Sequence, residues 1–241
     1  MSIVGGLAFL FFGAWTLRGD ELSEEDEKST HLSAKNVVIA VGTVFFLAEL
    51  GDKTFFMALI LATRHRRSWV FVGAFAALAV VTLISLGLGY GLRELLPAAS
   101  VPWLAAALFG GFGLKLLIDA RGLGRDAAAE EAEDAEAAVN EAESGQHFTT
   151  AWSVIWEAFV LVFLAELGDR TQFATMFLAT APGFGLAALL AGALLGHGLV
   201  TALAVNAGQW IGKRVNERLL YQLSGGLFLV FGLVSLKQAL G

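Results

Sequence analysis

Apolar residues are concentrated in seven long stretches of the chain, which are separated by shorter segments rich in charged residues. The stretches cover approximately residues 2–17, 37–63, 69–92, 101–118, 152–181, 183–211 and 219–240. An α-helix needs about 20 mostly apolar residues to cross the hydrocarbon core of a bilayer, and most of these stretches come close to or exceed that length. The pattern therefore predicts an all-α, multi-pass membrane protein with seven transmembrane spans.

The first stretch is the shortest, and it resembles the apolar part of a signal peptide. No basic segment precedes it, and it ends in Arg18-Gly19-Asp20 without the small residues of a cleavage site. We therefore expect residues 1–35 to form an extra N-terminal helix and an acidic loop, lying outside any functional site.

The remaining six stretches form two similar sets of three. Residues 46–63 match residues 163–180 in sharing Phe-Leu-Ala-Glu-Leu-Gly-Asp and a terminal Leu-Ala-Thr. The chain then divides into a first three-helix repeat at 36–120, an acidic cytoplasmic linker at 121–150 and a second three-helix repeat at 151–241. Three crossings leave the chain on the opposite side of the membrane. The second repeat should therefore be inverted relative to the first, as in many secondary transporters.

The connecting segments differ in charge from one side of the predicted bundle to the other. Basic residues cluster in the loop Arg64-His65-Arg66-Arg67 and recur in the two other loops that would lie on the same side. The positive-inside rule makes this side cytoplasmic, which places the N-terminus inside and the C-terminus outside. The linker segment 126–143 is rich in Ala, Glu and Asp without an evident apolar stripe, so we interpret it as a flexible tether, with a solvated helix as the alternative.

The composition excludes several kinds of site. The chain has no Cys, so it has neither disulfides nor thiolate metal ligands. Its net charge of −6 gives no reason to expect nucleic acid as a partner.

The same charged motif occurs once in each repeat, inside an apolar stretch. It reads Glu49-Leu50-Gly51-Asp52-Lys53-Thr54 in the first copy and Glu166-Leu167-Gly168-Asp169-Arg170-Thr171 in the second. Charged residues at the centre of a membrane span carry about 2.5–3.5 kcal/mol each on insertion scales, so their duplication indicates a function. Buried ion pairs at i,i+4 spacing, such as Glu49 with Lys53, are the purely structural alternative.

Glu and Asp three positions apart lie on one face of a helix. The Gly between them would also let the helix loosen or another backbone approach closely, and loosening would free backbone carbonyls as extra oxygen ligands. Two antiparallel motif helices would then bring four carboxylates together near the middle of the membrane. Oxygen donors of this kind suit hard cations such as Ca²⁺, Mn²⁺ or Mg²⁺. Further oxygen ligands are available from Thr54, Thr171 and Gln172, and from Thr82 and Thr201, which occupy matching positions in the two repeats. His197 and Asn206 are interpreted as packing residues.

The duplicated Glu-x-Gly-Asp-[Lys/Arg]-[Ser/Thr] motif and the acidic linker between two three-helix repeats resemble the Gdt1-type cation/proton antiporters (uncharacterised protein family 0016). The resemblance covers about residues 36–240. By motif position it implies a cation- and proton-binding role for Glu49, Asp52, Glu166 and Asp169, with Lys53, Thr54, Arg170 and Thr171 as motif partners. It implies a transporter rather than an enzyme, with no cofactor besides the transported Mn²⁺ or Ca²⁺.

The implied partners are membrane lipid, divalent metal ions and protons, and a homodimer is left open. The implied location is the inner membrane of a bacterium. Two other classes compete with the antiporter. A passive cation channel would use similar ligands but would not depend on a proton gradient. An intramembrane aspartyl protease is disfavoured because both motifs are alike and a basic residue follows each Asp.

Overall fold

The computed structural model describes residues 34–97, 99–122, 127–144, 150–180, 185–211 and 217–240, and these residues are helical apart from short turns. The helices are α1 (Ala34–Glu49), α2 (Lys53–Arg64), α3 (Arg67–Leu95), α4 (Val101–Gly122), α5 (Ala127–Glu143), α6 (Ala151–Glu166), α7 (Arg170–Thr180), α8 (Leu186–Ile211) and α9 (Glu217–Leu240). The predicted all-α class is confirmed. The predicted N-terminal helix lies outside the described residues, as does the connection between the stretches that end at 181 and begin at 183.

Within this part of the chain, three helical segments are long and apolar enough to cross a membrane. They are Arg67–Leu95, Val101–Ile118 and Leu186–Asn206. Helices α6 and α7 together would make a fourth span, although they are bent by 69° where they meet. The protein therefore has three or four candidate membrane spans in its described residues, and the arrangement of seven spans remains a prediction.

The two stretches that carry the motif are each divided into two helices. Helix α1 ends at Glu49 and α2 begins at Lys53, while α6 ends at Glu166 and α7 begins at Arg170. Between them Gly51 and Gly168 adopt positive φ angles of 85° and 88°, a conformation that glycine accepts readily and other residues rarely do. The expectation that Glu and Asp share one face of a continuous helix is therefore wrong, because the backbone leaves the helix between them.

Helices from the two halves of the chain pack on each other through matching contacts. Gly73 on α3 lies against the Ile155 carbonyl and Ala158 of α6, and Gly192 on α8 lies against the Val38 carbonyl and Val41 of α1. A Cβ atom added to Gly192 would be 2.8 Å from the Val41 Cβ and 2.9 Å from the Val38 oxygen. Close packing of this kind requires small residues, as is common between membrane helices.

A second close contact joins α4 and α9. A Cβ atom added to Gly113 would lie 2.8 Å from the Gly225 carbonyl oxygen, and one added to Gly232 would lie 2.9 Å from the Gly110 nitrogen. Phe109 and Phe228 stack beside this contact with their ring centroids 6.0 Å apart. The most extensive contacts between the first half of the chain and the second are those of α4 with α9, α1 with α8, and α3 with α6.

The acidic linker is a helix that packs along α2. Ala135 and Val139 on α5 are fully buried in the same apolar cluster as Phe55 and Leu61 of α2. The Lys53 Nζ is 3.6 Å from Asp134 at one end of this contact, and Arg64 bonds to Asn140 and Glu143 at the other. The interpretation of a flexible tether without an apolar stripe is wrong, because small apolar residues on one face of α5 are enough to dock it.

Substitution of the packed glycines by alanine should destabilise the fold. In Gly73→Ala and Gly192→Ala the new methyl group would lie about 2.8 Å from a neighbouring Cβ, and overpacking of this kind destabilises by about 1–3 kcal/mol. The thermal unfolding midpoint in detergent should fall for both variants. Gly87→Ala on α3 is the control, because no atom lies within 4 Å of its added Cβ. Equal midpoints for Gly73→Ala and Gly87→Ala would contradict the packing argument.

Docking of the linker helix should weaken at acid pH. Partial burial alone would raise the pKa of Glu143, but hydrogen bonds from Arg64 and His65 and their charges outweigh it and lower the pKa from its ordinary value. A carboxylate with a lowered folded-state pKa stabilises above its unfolded pKa, and the contribution is lost as the pH falls through the folded value. Amide hydrogen exchange of α5 in metal-free buffer should show constant protection at neutral pH and a loss below about pH 4, near the ordinary Glu pKa.

Glu143→Gln provides the comparison for this titration. The variant lacks the ionisable group, so its α5 helix should be less protected than the wild-type helix at neutral pH. The two proteins should become equal at the acid end of the titration. A variant as well protected as the wild type at pH 7 would show that Glu143 does not hold the linker.

Candidate metal centre

Carboxylates from the two motif copies meet between the helices. Glu49 is only 2% exposed and Glu166 only 1% exposed, although glutamate is rarely buried in proteins. One carboxylate oxygen from each of Glu49, Glu166 and Asp169 lies within 4.8 Å of the other two. Asp52 is close enough for its charge to act on both glutamates. The structure thus brings the four sequence-predicted carboxylates into one region from two distant parts of the chain.

The helix breaks determine where these carboxylates point. Each break is closed by the same turn, in which the Asp52 amide donates to the Glu49 carbonyl and the Asp169 amide donates to the Glu166 carbonyl, both at 3.2 Å. Each glutamate therefore sits at the C-terminal end of one helix, and each aspartate precedes the next. The Asp169 Oδ2 accepts hydrogen bonds from the Thr171 amide at 3.1 Å and the Thr171 hydroxyl at 3.0 Å, which caps α7.

The other predicted motif residues have separate roles in this conformation. The Thr54 hydroxyl donates to Glu49 Oε2 at 3.4 Å. The Gln172 Oε1 accepts from the Gly168 amide at 2.7 Å and so supports the turn at the second break. Lys53 pairs with Asp134 on the linker helix, not with Glu49 as the structural alternative required. The side chain of Arg170 lies outside the described part of the chain.

Thr82 and Thr201 are both buried and hydrogen-bonded within their own helices. Thr82 donates to the Leu78 carbonyl at 2.8 Å, and Thr201 donates to the His197 carbonyl at 2.7 Å. Such bonds to the preceding turn are common for threonine in helices. Thr201 also lines the cavity next to Glu49.

A small cavity lies beside Glu49, with room for about one water molecule. Its polar wall is formed by Glu49, Thr54 and Thr201, and its apolar lining consists of Phe55, Ala58, Ala74, Leu78, Val162 and Val200. The polar wall draws on helices from both halves of the chain. The cavity is therefore lined by both polar and apolar residues.

The buried glutamates have unused hydrogen-bonding capacity. The Oε1 atoms of Glu49 and Glu166 are fully buried and have no hydrogen-bond partner among the described residues. A buried carboxylate oxygen without a partner is costly, so a proton or a cation is needed to satisfy it. Ligands on opposite sides of a Ca²⁺ ion are about 5 Å apart, since Ca–O distances are 2.3–2.6 Å. The spacing of the three carboxylates therefore fits a shared hard cation.

His197 is a residue of this region that sequence reasoning assigned to packing. It is 3% exposed, and its Nδ1 has no hydrogen-bond partner in the described structure. Its ring stands edge-on to Phe45 with the centroids 5.2 Å apart, and it is near enough to Asp169 to interact with that charge. The matching position in the first repeat is Leu78, so a search for duplicated residues passes over it.

Comparison with known proteins gives a consistent family assignment. The family described as "Divalent cation/proton antiporter GDT1" matches residues 37–123 and 154–241, one segment in each half of the chain. The chain is 41% identical over 191 residues to GDT1-like protein sll0615 of Synechocystis sp., an alignment that covers 78% of this chain and 91% of that protein. This chain therefore belongs to the GDT1 family of divalent cation/proton antiporters.

Plant relatives are also similar over most of the chain. Protein PAM71, chloroplastic, of Arabidopsis thaliana is 39% identical over 206 residues, which are 81% of this chain and 55% of that protein. GDT1-like protein 1, chloroplastic, of Oryza sativa subsp. japonica is 38% identical over 81% of this chain and 60% of its own length. The chain thus spans a little over half of these plant proteins. No solved structure matches this fold.

The positive φ angle at the second break should matter for the site. Gly168→Ala should destabilise by about 1–2 kcal/mol, because a Cβ disfavours this conformation, and it should weaken Mn²⁺ or Ca²⁺ binding by displacing the carboxylates. No atom lies within 4 Å of the added Cβ at Gly168, so any loss comes from the backbone and not from a clash. Thermal unfolding and calorimetric titration of the metal would measure the two effects.

Two variants are matched to this test. Gly168→Asn should lose less than Gly168→Ala, because Asn tolerates positive φ better than Ala does. Gly185→Ala also adds a Cβ to open space, but at a position without a positive φ, and it should behave as the wild type. If Gly168→Ala and Gly185→Ala were equally stable, the break would not depend on glycine.

Proposed function

We propose that this protein exchanges a divalent cation, Mn²⁺ or Ca²⁺, for protons across a membrane through the site formed by Glu49, Asp52, Glu166 and Asp169. The observation that carries the proposal is the convergence of buried carboxylates from two motif copies that lie in different halves of the chain. A protein that only needed to pack its helices would have no use for acidic groups at this position. Membership of the GDT1 family supports the same reading.

Competition at one site would couple the two ions. A carboxylate that holds a proton cannot serve as an anionic metal ligand, so binding of the metal releases protons and binding of protons releases the metal. The unpartnered Oε1 atoms of Glu49 and Glu166 are the atoms at which this exchange would occur. The donor set consists of oxygens, which suits hard cations and does not by itself separate Mn²⁺ from Ca²⁺.

The matched contacts between the halves support an alternating mechanism. Gly73 on α3 and Gly192 on α8 make equivalent contacts with α6 and α1, as expected for two repeats related by a pseudo-twofold axis. We propose that the two three-helix repeats are inverted and rock against each other around the carboxylates. The loop with Arg64 and Arg67 would face the cytosol, and the cation would leave the cytosol as protons enter.

Transport by reconstituted protein tests this function. Proteoliposomes with equal Mn²⁺ concentrations on both sides and an imposed pH gradient should accumulate the metal on the more acidic side, and reversing the gradient should reverse the direction. The same measurement with Ca²⁺ decides between the two cations. The membrane potential is held at zero during the measurement. A channel would then show no net movement of the metal, because the metal has neither a concentration gradient nor an electrical driving force.

Loss of the anionic ligands should abolish this exchange. Asp52→Asn and Asp169→Asn each preserve size while removing one ligand and one proton acceptor, so metal uptake should fall at least about tenfold. Glu141→Gln on the exposed face of α5 is the control for an acidic residue outside the site. Folding of each variant would be checked by its thermal unfolding midpoint. Wild-type exchange in both aspartate variants would refute a carboxylate-based mechanism.

A further inference from the structure

A second group of potential metal ligands lies away from the motif. It consists of His65 just after α2, Glu143 at the end of the linker helix α5, and Glu157 on α6, and one ligand atom from each lies within 4.8 Å of the other two. Glu157 precedes Glu166 by nine positions on the same helix, which separates the two by about 13 Å along its axis. This group is therefore distinct from the four-carboxylate site.

Glu157 is the residue that calls for an explanation. It is 4% exposed, and neither of its carboxylate oxygens has a hydrogen-bond partner within the described structure. The basic side chain beside it is that of His65, whose Nε2 is 3.6 Å from Glu157 Oε2. This distance is too long for a hydrogen bond. A buried carboxylate with two unsatisfied oxygens is costly to maintain unless something else contacts it.

The other two residues are held in place by their neighbours. The His65 Nε2 is 2.8 Å from Glu143 Oε1, and the other oxygen of Glu143 bonds to Arg64. Arg64 also donates to Asn140 at 2.7 Å. With His65 neutral, Arg64 offsets one of the two carboxylates, and the cluster keeps one negative charge for a cation.

We propose that His65, Glu143 and Glu157 bind a second divalent cation, of the transition-metal class that includes Mn²⁺ and Zn²⁺. The donor set differs from that of the motif site because it includes an imidazole nitrogen. Imidazole is a good ligand for transition metals, whereas Ca²⁺ takes oxygen ligands. The ion would replace the hydrogen bond between His65 and Glu143 and would contact the unsatisfied oxygens of Glu157.

Such an ion would join three separate parts of the chain. His65 follows the motif helix α2, Glu143 belongs to the linker, and Glu157 lies on the helix that leads to Glu166. A bound metal would therefore fasten the linker helix to both halves at a point remote from the transported ion. The site is independent of the proposed antiport, because none of its three ligands belongs to the motif and its donor set includes an imidazole nitrogen.

Pulsed electron paramagnetic resonance of Mn²⁺ bound to the purified full-length protein tests this site directly. Electron spin echo modulation detects a nitrogen that coordinates Mn²⁺, so the signal identifies an imidazole ligand. We expect nitrogen modulation in the wild type and in Glu49→Gln/Glu166→Gln, where the motif site is disabled. We expect its loss in His65→Gln, with one fewer Mn²⁺ bound per protein, and the same loss of one ion in Glu157→Gln.

Two controls separate this site from others in the protein. His197→Gln should keep the nitrogen signal, because His197 lies near the motif carboxylates and not in the cluster. Ca²⁺ added in excess should leave the signal in place. The proposal is overturned if the wild type shows no nitrogen modulation, or if the modulation survives in His65→Gln. Failure of antiport with retention of this signal would refute the proposed transport function alone.

Discussion

The structure depends on two helix breaks, one at Gly51 and one at Gly168. Each break ends one helix with a glutamate and starts the next after an aspartate, and both use a glycine with φ near +85°. A broken helix leaves backbone carbonyls at one end and amides at the other without intrahelical partners. The break thus places polar backbone groups inside an apolar stretch, where backbone oxygens and acidic side chains can bind an ion.

The breaks also set the electrostatic character of the site. The C-terminal end of a helix carries a partial negative charge and its N-terminal end a partial positive charge. Glu49 and Glu166 lie at negative helix ends, where an additional carboxylate is favourable only with a proton or a cation beside it. Asp169 lies at a positive end and caps α7 through Thr171. The glutamates are therefore the members of the site with the strongest need for a positively charged occupant.

Much of this arrangement could be predicted from the sequence. The helical class followed from the apolar stretches, and the meeting of Glu49 with Glu166 and Asp169 followed from the duplicated motif. The glycine of the motif indicated where each helix could loosen, but the full break was harder to predict, because Gly51 and Gly168 sit in stretches whose overall hydropathy favours continuous helices. The docking of α5 was missed because Ala135 and Val139 form a narrow apolar stripe among many acidic residues. His65 and Glu157 belong to different segments of the chain, and no sequence spacing indicates that they meet.

The linker helix affects the charge balance of the four-carboxylate site. Lys53 would offset one of the four carboxylates if its ammonium faced them. The structure instead pairs the ammonium with Asp134 on α5, and the Asp134 carboxylate is itself well exposed. Lys53 is partly exposed as well, so water and salt screen its charge. It therefore offsets the charge of the buried glutamates less than it would in direct contact with them. The four carboxylates then retain more negative charge than the motif alone suggests. An excess of negative charge strengthens the attraction for any positive occupant, whether a divalent cation or protons, so the position of α5 is part of what sets the electrostatics around these carboxylates.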